Sequence, residues 1–111
     1  ISARVAAAVG KDCRVIYSAY GEDKSGIPID NLDEVVHTGR IIFRDNGRAG
    51  LEGNLQRWLS KELTNPTWLD LCRAANDLIV AVGYVDHVFL EGISVTGHLG
   101  EIAVAEFTLG S

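Results

Sequence analysis

The clearest pattern of hydrophobic and polar positions runs from Asn65 to Gly83 and has the period of an α-helix. Asn65 and Pro66 are residues that open helices, as cap and first helical position, and Gly83 is a residue that ends them. One broad apolar face holds Trp68, Leu71, Cys72, Ala75, Leu78, Ile79 and Val82. The spacing therefore predicts a helix over 66–82 that forms the centre of the core.

Three shorter segments also show helical features. Residues 54–63 place Leu55, Trp58, Leu59 and Leu63 at helical spacing, with polar residues between them. Residues 2–9 are rich in alanine and end at Gly10, and residues 30–36 begin with a capping Asp30 followed by acidic residues. We expect each of these segments to be helical.

Strands are predicted where β-branched and aromatic residues cluster, over 13–20 and over 40–45. The Asn46-Gly47 pair after the second of these is a strong hairpin signal. Residues 86–95 and 101–109 are two further apolar strands, and the glycine-rich loop between them predicts an antiparallel hairpin.

Together these elements predict a single α+β domain over 1–111. About four strands form an antiparallel or mixed sheet, and the helices pack on one face of it. A chain of 111 residues is long enough to bury a core without help from disulfides or metal ions.

Composition and charge narrow the choice of partners. The net charge is −5 and the basic residues are scattered, which argues against nucleic acid as the main partner. No apolar stretch approaches the roughly 20 residues that a membrane-spanning helix needs, and the first residues lack the pattern of a signal peptide. Cys13 and Cys72 have neither metal-binding nor redox spacing, so we expect reduced thiols in a bacterial-type cytoplasm.

The final hairpin carries three ionisable residues inside apolar strands. If Val95 pairs with Glu101, alternation defines two faces. One face holds His87, Phe89, Glu91, Ile93, Ala103, Ala105 and Phe107, and the other holds Val88, Leu90, Gly92, Ile102, Val104 and Glu106. Both faces are mainly apolar, and helices on one side of the sheet can cover only one of them. We therefore predict a homodimer whose contact includes Phe89, Ile93 and Phe107.

Two interpretations of the charges in this hairpin remain open. In the first, Glu91, His87, Phe89, Glu106 and the helical Trp68 bind a ligand, and a half-buried Glu91 carboxylate is suited to acid–base chemistry. In the second, Glu91 lies near a sheet edge or a subunit interface, bonded to an arginine or a backbone amide, and His87 is in solvent.

The motifs that bind nucleotides, phosphate or catalytic zinc do not occur in the chain, so we expect no cofactor and no metal. The sequence favours a non-catalytic binding module that recognises a small, partly apolar ligand or a protein partner. The alternative is a small cofactor-independent hydrolase or isomerase that uses a buried carboxylate with a histidine.

Overall fold

Two helices and four strands make up the described part of the chain. The computed structural model describes residues 3–10, 12–17, 31–45, 58–83 and 87–110. The elements are α1 (Ala3–Val9), β1 (Arg40–Arg44), β2 (Leu63–Thr64), α2 (Trp68–Val82), β3 (Phe89–Leu99) and β4 (Ile102–Gly110). The strands form one mixed sheet in the order β2-β1-β4-β3, which confirms the predicted α+β class.

The sheet is mixed because β1 and β4 run parallel to each other. Ile41 lies opposite Ala103, and the register continues to Arg44 opposite Glu106. β2 pairs antiparallel with the other edge of β1, and β3 pairs antiparallel with β4. The order of the strands places β4 next to both β1 and β3, so β3 is an edge strand.

The main helix, α2, confirms the strongest prediction from the sequence but begins at a different cap. Thr67 is the N-cap: its hydroxyl accepts a hydrogen bond from the Asp70 N–H, and the Asp70 carboxylate accepts one from the Thr67 N–H. This reciprocal capping box explains why the helix starts after Thr67 and not after Asn65. Asn65 has a left-handed φ of 48°, and its side-chain oxygen accepts a hydrogen bond from Gly39 N.

The core lies between α2 and one face of the sheet, which we call the inner face. The inner face presents Ile41 and Phe43 from β1, and Ala103, Ala105 and Phe107 from β4. From α2, the buried residues are Leu71, Cys72, Ala74, Ala75, Asn76, Leu78 and Ile79. The rings of Phe43 and Phe107 stack at a centroid distance of 4.2 Å. The opposite side, here called the outer face, carries Ile42, Arg44, Val104 and Glu106, which are only half-buried.

The register of the final hairpin differs from the expected one. Its turn has only two residues, because Leu99 already lies opposite Ile102, and Ile93 lies opposite Phe107 instead of Ala103. The strand shifts register between Leu90 and Gly92 and again between Val95 and Gly97. Each shift is a β-bulge, and a bulge reverses the alternation of side chains beyond it.

The first bulge corrects the predicted face assignment. Leu90 is buried on the inner face, as its position opposite Leu109 requires, whereas Phe89 lies opposite Gly110 and is exposed. Ile93 follows the bulge and lies on the inner face opposite Phe107. Phe89 and Ile93 therefore lie on different faces, and the assumption of regular alternation through Glu91 was wrong.

Two predicted helices are absent from the residues that the structure describes. Residues 31–36 form turns and a bridge between Val35 and Thr67, and residues 58–63 follow the edge of β1. There the Ser60 N–H donates to the Phe43 carbonyl at 2.8 Å. The backbone groups at the edge of β1 require hydrogen-bond partners. Residues 58–63 therefore pair with β1 and do not form the helix that their hydrophobic spacing predicts.

Near the N-terminus, the alanine-rich segment does form a helix, α1, which ends at Gly10. The strand predicted over 13–20 is reduced, within the described residues 13–17, to one bridge between Ile16 and Phe89. The hairpin signal at Asn46-Gly47 lies outside the described residues. Neither described helix combines the length and apolar character needed to cross a membrane.

Candidate binding groove

A groove of about 470 Å³ lies between the end of α1, the solvent side of α2 and the segment 58–63. We call it the helix groove. Its apolar lining residues are Ala8, Val9, Trp58, Leu59, Leu63 and Ala74. Its polar lining residues are Ser60, Lys61, Asp70, Arg73 and Asp77. The groove thus combines an apolar wall with charged groups from two different elements.

Hydrogen bonds between β1 and the segment 58–63 hold that side of the groove in place. The Phe43 N–H donates to Ser60 Oγ at 2.8 Å, and the Asp45 N–H donates to the Trp58 carbonyl at 3.3 Å. The Trp58 ring also lies 6.3 Å from the Phe107 ring, in a tilted arrangement. Trp58 is therefore held between the core and the groove.

The charged groups of the groove differ in how far they are already engaged. Asp70 accepts hydrogen bonds from both the N–H and the hydroxyl of Thr67, so its carboxylate serves the start of α2. The side chains of Lys61, Arg73 and Asp77 are exposed and form no hydrogen bond or ion pair with any described residue. Two cations and one carboxylate remain available in this part of the groove.

None of the predicted ligand residues lines the helix groove. Trp68, at the start of α2, stacks on Tyr17 with ring centroids 5.4 Å apart, and the Tyr17 hydroxyl donates to Asn31 Oδ1 at 2.6 Å. Trp68 is half-buried and packs against the core. It does not line the helix groove.

Glu106 forms an ion pair on the outer face. Its carboxylate lies 3.1 Å from a terminal nitrogen of Arg44, the residue opposite it on β1. The Glu106 side chain is 22% exposed, and the Arg44 Nε is buried with no hydrogen-bond partner among the described residues. The anchoring role that the sequence suggested for Glu91 is thus observed at Glu106.

Glu91 and its neighbours on β3 are exposed. The Glu91 carboxylate lies over Gly110, where a side chain would collide with it, and the half-burial expected of Glu91 is not observed. Phe89 and His87 are exposed as well, so these three residues do not enclose a pocket. Their part in ligand binding stays a prediction.

The three residues predicted at a dimer contact have different environments. Phe107 is only 6% exposed and stacks on Phe43 inside the core. Ile93 is half-buried and packs against the same core, whereas Phe89 is 38% exposed. Of the three, Phe89 offers the most surface to a second chain.

Among the described residues, no group of three or more His, Cys, Asp or Glu side chains is arranged to hold a metal ion.

Burial, with a smaller contribution from Cys13, raises the pKa of the Cys72 thiol to about 12. A thiol with so high a pKa carries almost no thiolate near neutral pH, so Cys72 is a core residue and not a nucleophile.

Sequence reasoning missed the helix groove because it assigned residues 54–63 to a helix. Under that assignment Trp58 packs in the core and Lys61 faces water, so nothing brings them near α2. The available signal was the polar side of α2, where Asp70, Arg73 and Asp77 are spaced to share one face.

Comparison of the chain with protein-family models, with curated proteins and with solved structures finds no match.

Proposed function

We propose that the protein is a non-catalytic binding module whose helix groove takes a small molecule with an apolar body and an acidic group. The observation that carries this proposal is the pair of cations, Lys61 and Arg73, without a described partner beside an apolar wall. Trp58 and Leu63 supply the wall.

The size of the groove and its two cationic side chains without a described partner support this ligand class. Small-molecule sites are clefts of roughly 300–1,000 Å³, and the volume of this groove, about 470 Å³, lies in that range. Thr67 donates hydrogen bonds to the Asp70 carboxylate but does not remove its charge, so the four charged side chains of the groove sum to zero. A ligand with one negative group can form an ion pair with Lys61 or Arg73, whose side chains have no described partner.

We also propose that the protein partner is a second copy of this chain. Three of the exposed large apolar side chains, Phe89, Val95 and Leu99, belong to β3. Contact with another chain is a common reason for such a concentration on one strand. The two free cysteines, Cys13 and Cys72, support a reducing compartment such as a bacterial cytoplasm.

The alternative function, a small hydrolase or isomerase, requires a desolvated carboxylate within reach of a histidine. Glu91 and His87, the residues that suggested it, are both exposed. No contact in the described residues favours this alternative over binding.

Two fluorescent probes test the proposal. Anilinonaphthalene sulfonate is apolar and anionic, and N-phenyl-1-naphthylamine has a similar apolar body without the charge. We expect the anionic probe to bind more tightly to the protein, with energy transfer from Trp58 in a Trp68→Phe background. Arg73→Gln and Lys61→Gln should each weaken the anionic probe several-fold and leave the neutral probe unchanged.

Arg14→Gln is the matched control, because Arg14 is an exposed arginine that does not line the groove. It removes the same charge from the chain and should leave the binding of both probes unchanged. If Arg14→Gln weakens the anionic probe as much as Arg73→Gln does, the attraction is that of overall charge and the proposed site is wrong.

A further inference from the structure

The edge of β3 that points away from β4 is paired over only a short stretch within the described chain. The Ile16 N–H donates to the Val88 carbonyl at 2.8 Å, and the Leu90 N–H donates to the Ile16 carbonyl at 2.9 Å. Beyond Leu90, no described residue pairs with this edge over positions 91–99. A strand edge carries backbone donors and acceptors in a regular row, so its natural partner is another strand.

The hairpin register shows which backbone groups point outward. Leu99 and Ile102 flank a two-residue turn and therefore form a hydrogen-bonded pair. Alternation along the pairing with β4 then directs the backbone groups of Ile93, Val95 and His98 away from β4. Leu90 has the same phase, as its observed hydrogen bond to Ile16 requires.

The two bulges of β3 are arranged symmetrically about one residue. At the first bulge, positions 91 and 92 share one partner position on β4, and at the second, positions 96 and 97 do so. Ser94 lies midway between them. A two-fold axis through Ser94 places each bulge opposite the other bulge of a second copy, and it places Ile93 opposite Val95 of that copy.

The chemistry of this edge also suits self-association. Positions 92–99 contain no Asp, Glu, Lys or Arg, although the chain as a whole carries a net charge of −5. Soluble proteins commonly protect an edge strand with a charged side chain, often lysine. Val95 lies opposite the buried Ala105 and yet is 47% exposed, because nothing described covers the sheet beyond it.

We propose that two copies of this chain pair antiparallel along β3, with Ser94 on the two-fold axis. Each Ile93 forms two backbone hydrogen bonds with Val95 of the other copy, and the two sheets become one continuous sheet. The Ile16 segment and the bulges limit the pairing at both ends, so the contact closes as a dimer. This inference rests on the proposed association of two copies and is independent of the helix groove.

A cysteine at position 94 tests the axis. Directly opposite residues that are not hydrogen-bonded have Cβ atoms roughly 4.5–5.5 Å apart, close to the separation of roughly 3.5–4.5 Å in a disulfide. In a Cys13→Ser background, Ser94→Cys should therefore form a covalent dimer under mild oxidation. Thr108→Cys is the control, because Thr108 is also exposed but lies on β4 inside the sheet. Equal crosslinking of the two variants would overturn the proposed register.

Light scattering on the wild type and on two lysine variants distinguishes pairing along β3 from dimerisation through another surface. The wild type should approach twice the 12.0 kDa mass of the chain as its concentration is raised. Val95→Lys should remain monomeric at every concentration, whereas Val80→Lys should behave as the wild type. Val80 is a fair control because it is 42% exposed on the solvent side of α2.

Three outcomes are distinguishable. A wild type that stays monomeric removes both the homodimer and this interface. A dimer that Val95→Lys leaves intact, and that Ser94→Cys does not crosslink, keeps the homodimer but rejects pairing along β3. Binding of the fluorescent probes is measured on the same variants and should be unchanged in all of them, so failure of the interface does not bear on the helix groove.

Discussion

The Asn76 side chain holds the backbone of Val15 against α2. Its Oδ1 accepts hydrogen bonds from the Val15 N–H at 2.9 Å and from the Arg14 N–H at 2.6 Å. Its Nδ2 donates to the Asp12 carbonyl at 2.9 Å. Asn76 is almost fully buried, so one side chain on the main helix satisfies three backbone groups of an irregular segment.

Asn76→Ala should therefore strongly destabilise the protein. The change leaves buried backbone donors without acceptors, and we expect the free energy of unfolding to fall by about 2–4 kcal/mol. Urea denaturation followed by circular dichroism measures the change. Asp77→Ala, at the exposed neighbouring position, should change it by no more than about 0.5 kcal/mol. Similar effects in the two variants would show that the Asn76 hydrogen bonds contribute little.

Phe107→Ala should destabilise the protein far more than Phe89→Ala. Phe107 is stacked on Phe43 in the core, and truncating a buried phenylalanine typically costs about 3–5 kcal/mol. Phe89 is partly exposed, so its truncation in the monomer should cost much less. The two variants are compared by thermal unfolding at a low protein concentration, where association does not contribute. An equal loss of stability would mean that Phe107 is not a core residue.

The two arginine–glutamate pairs of β1 should differ in their contribution to stability. Glu106→Gln leaves the half-buried Arg44 without its counter-ion, and we expect a loss of about 1 kcal/mol. Glu62 accepts a hydrogen bond from Arg40 that lowers the pKa of Glu62, but both groups are exposed. Glu62→Gln should therefore have no resolvable effect at physiological salt. The reverse order of the two variants in urea denaturation would contradict this ranking.

The Cys72 thiol makes stability depend on pH in the alkaline range. Its pKa is raised from 9.0 to about 12 in the folded protein, so above pH 9 the unfolded chain releases its thiol proton first. The stabilising contribution is complete below pH 9 and is lost as the pH rises towards 12. The urea midpoint of the wild type should fall more steeply over this range than that of Cys72→Ala. Parallel curves for the two proteins would exclude the effect.

Local signals in the sequence were sufficient to predict the helix α2 and the final hairpin. The helix combines a long apolar stripe with Gly83, and the strands of the hairpin are adjacent in the chain. The loop was expected over 96–100, whereas the turn is formed by Gly100 and Glu101, and Gly100 adopts a left-handed φ of 61° there. Short-range chemistry determines both elements.

Within the described residues 31–36 and 58–63, the predicted helices are absent for a non-local reason. Residues 58–60 pair with β1, and Val35 pairs with Thr67 at the start of α2. The helical spacing of Trp58, Leu59 and Leu63 does not indicate that the backbone of this segment pairs with the edge of β1. The helix groove depends on the same pairing, so it could not be predicted without the fold.

The register of β3 could not be obtained from alternation alone. A bulge adds one residue without changing the hydrophobic pattern in an obvious way, and Gly92 was the only local hint of it. The resulting shift put Phe89 on the opposite face from Ile93 and Phe107, with which it was predicted to share a face. The same bulges produced the symmetry about Ser94.

The parallel pairing of β1 with β4 also determines when the fold can be completed. Ile41 and Ala103 meet although roughly 60 residues separate them, so their contact must overcome the entropy of closing a long loop. The β3–β4 hairpin closes a short loop and can form earlier. During synthesis β1 therefore has to wait for β4, and until then Ile41 and Phe43 lack the neighbours that shield them from water. In this interval the chain is most exposed to aggregation and to chaperones.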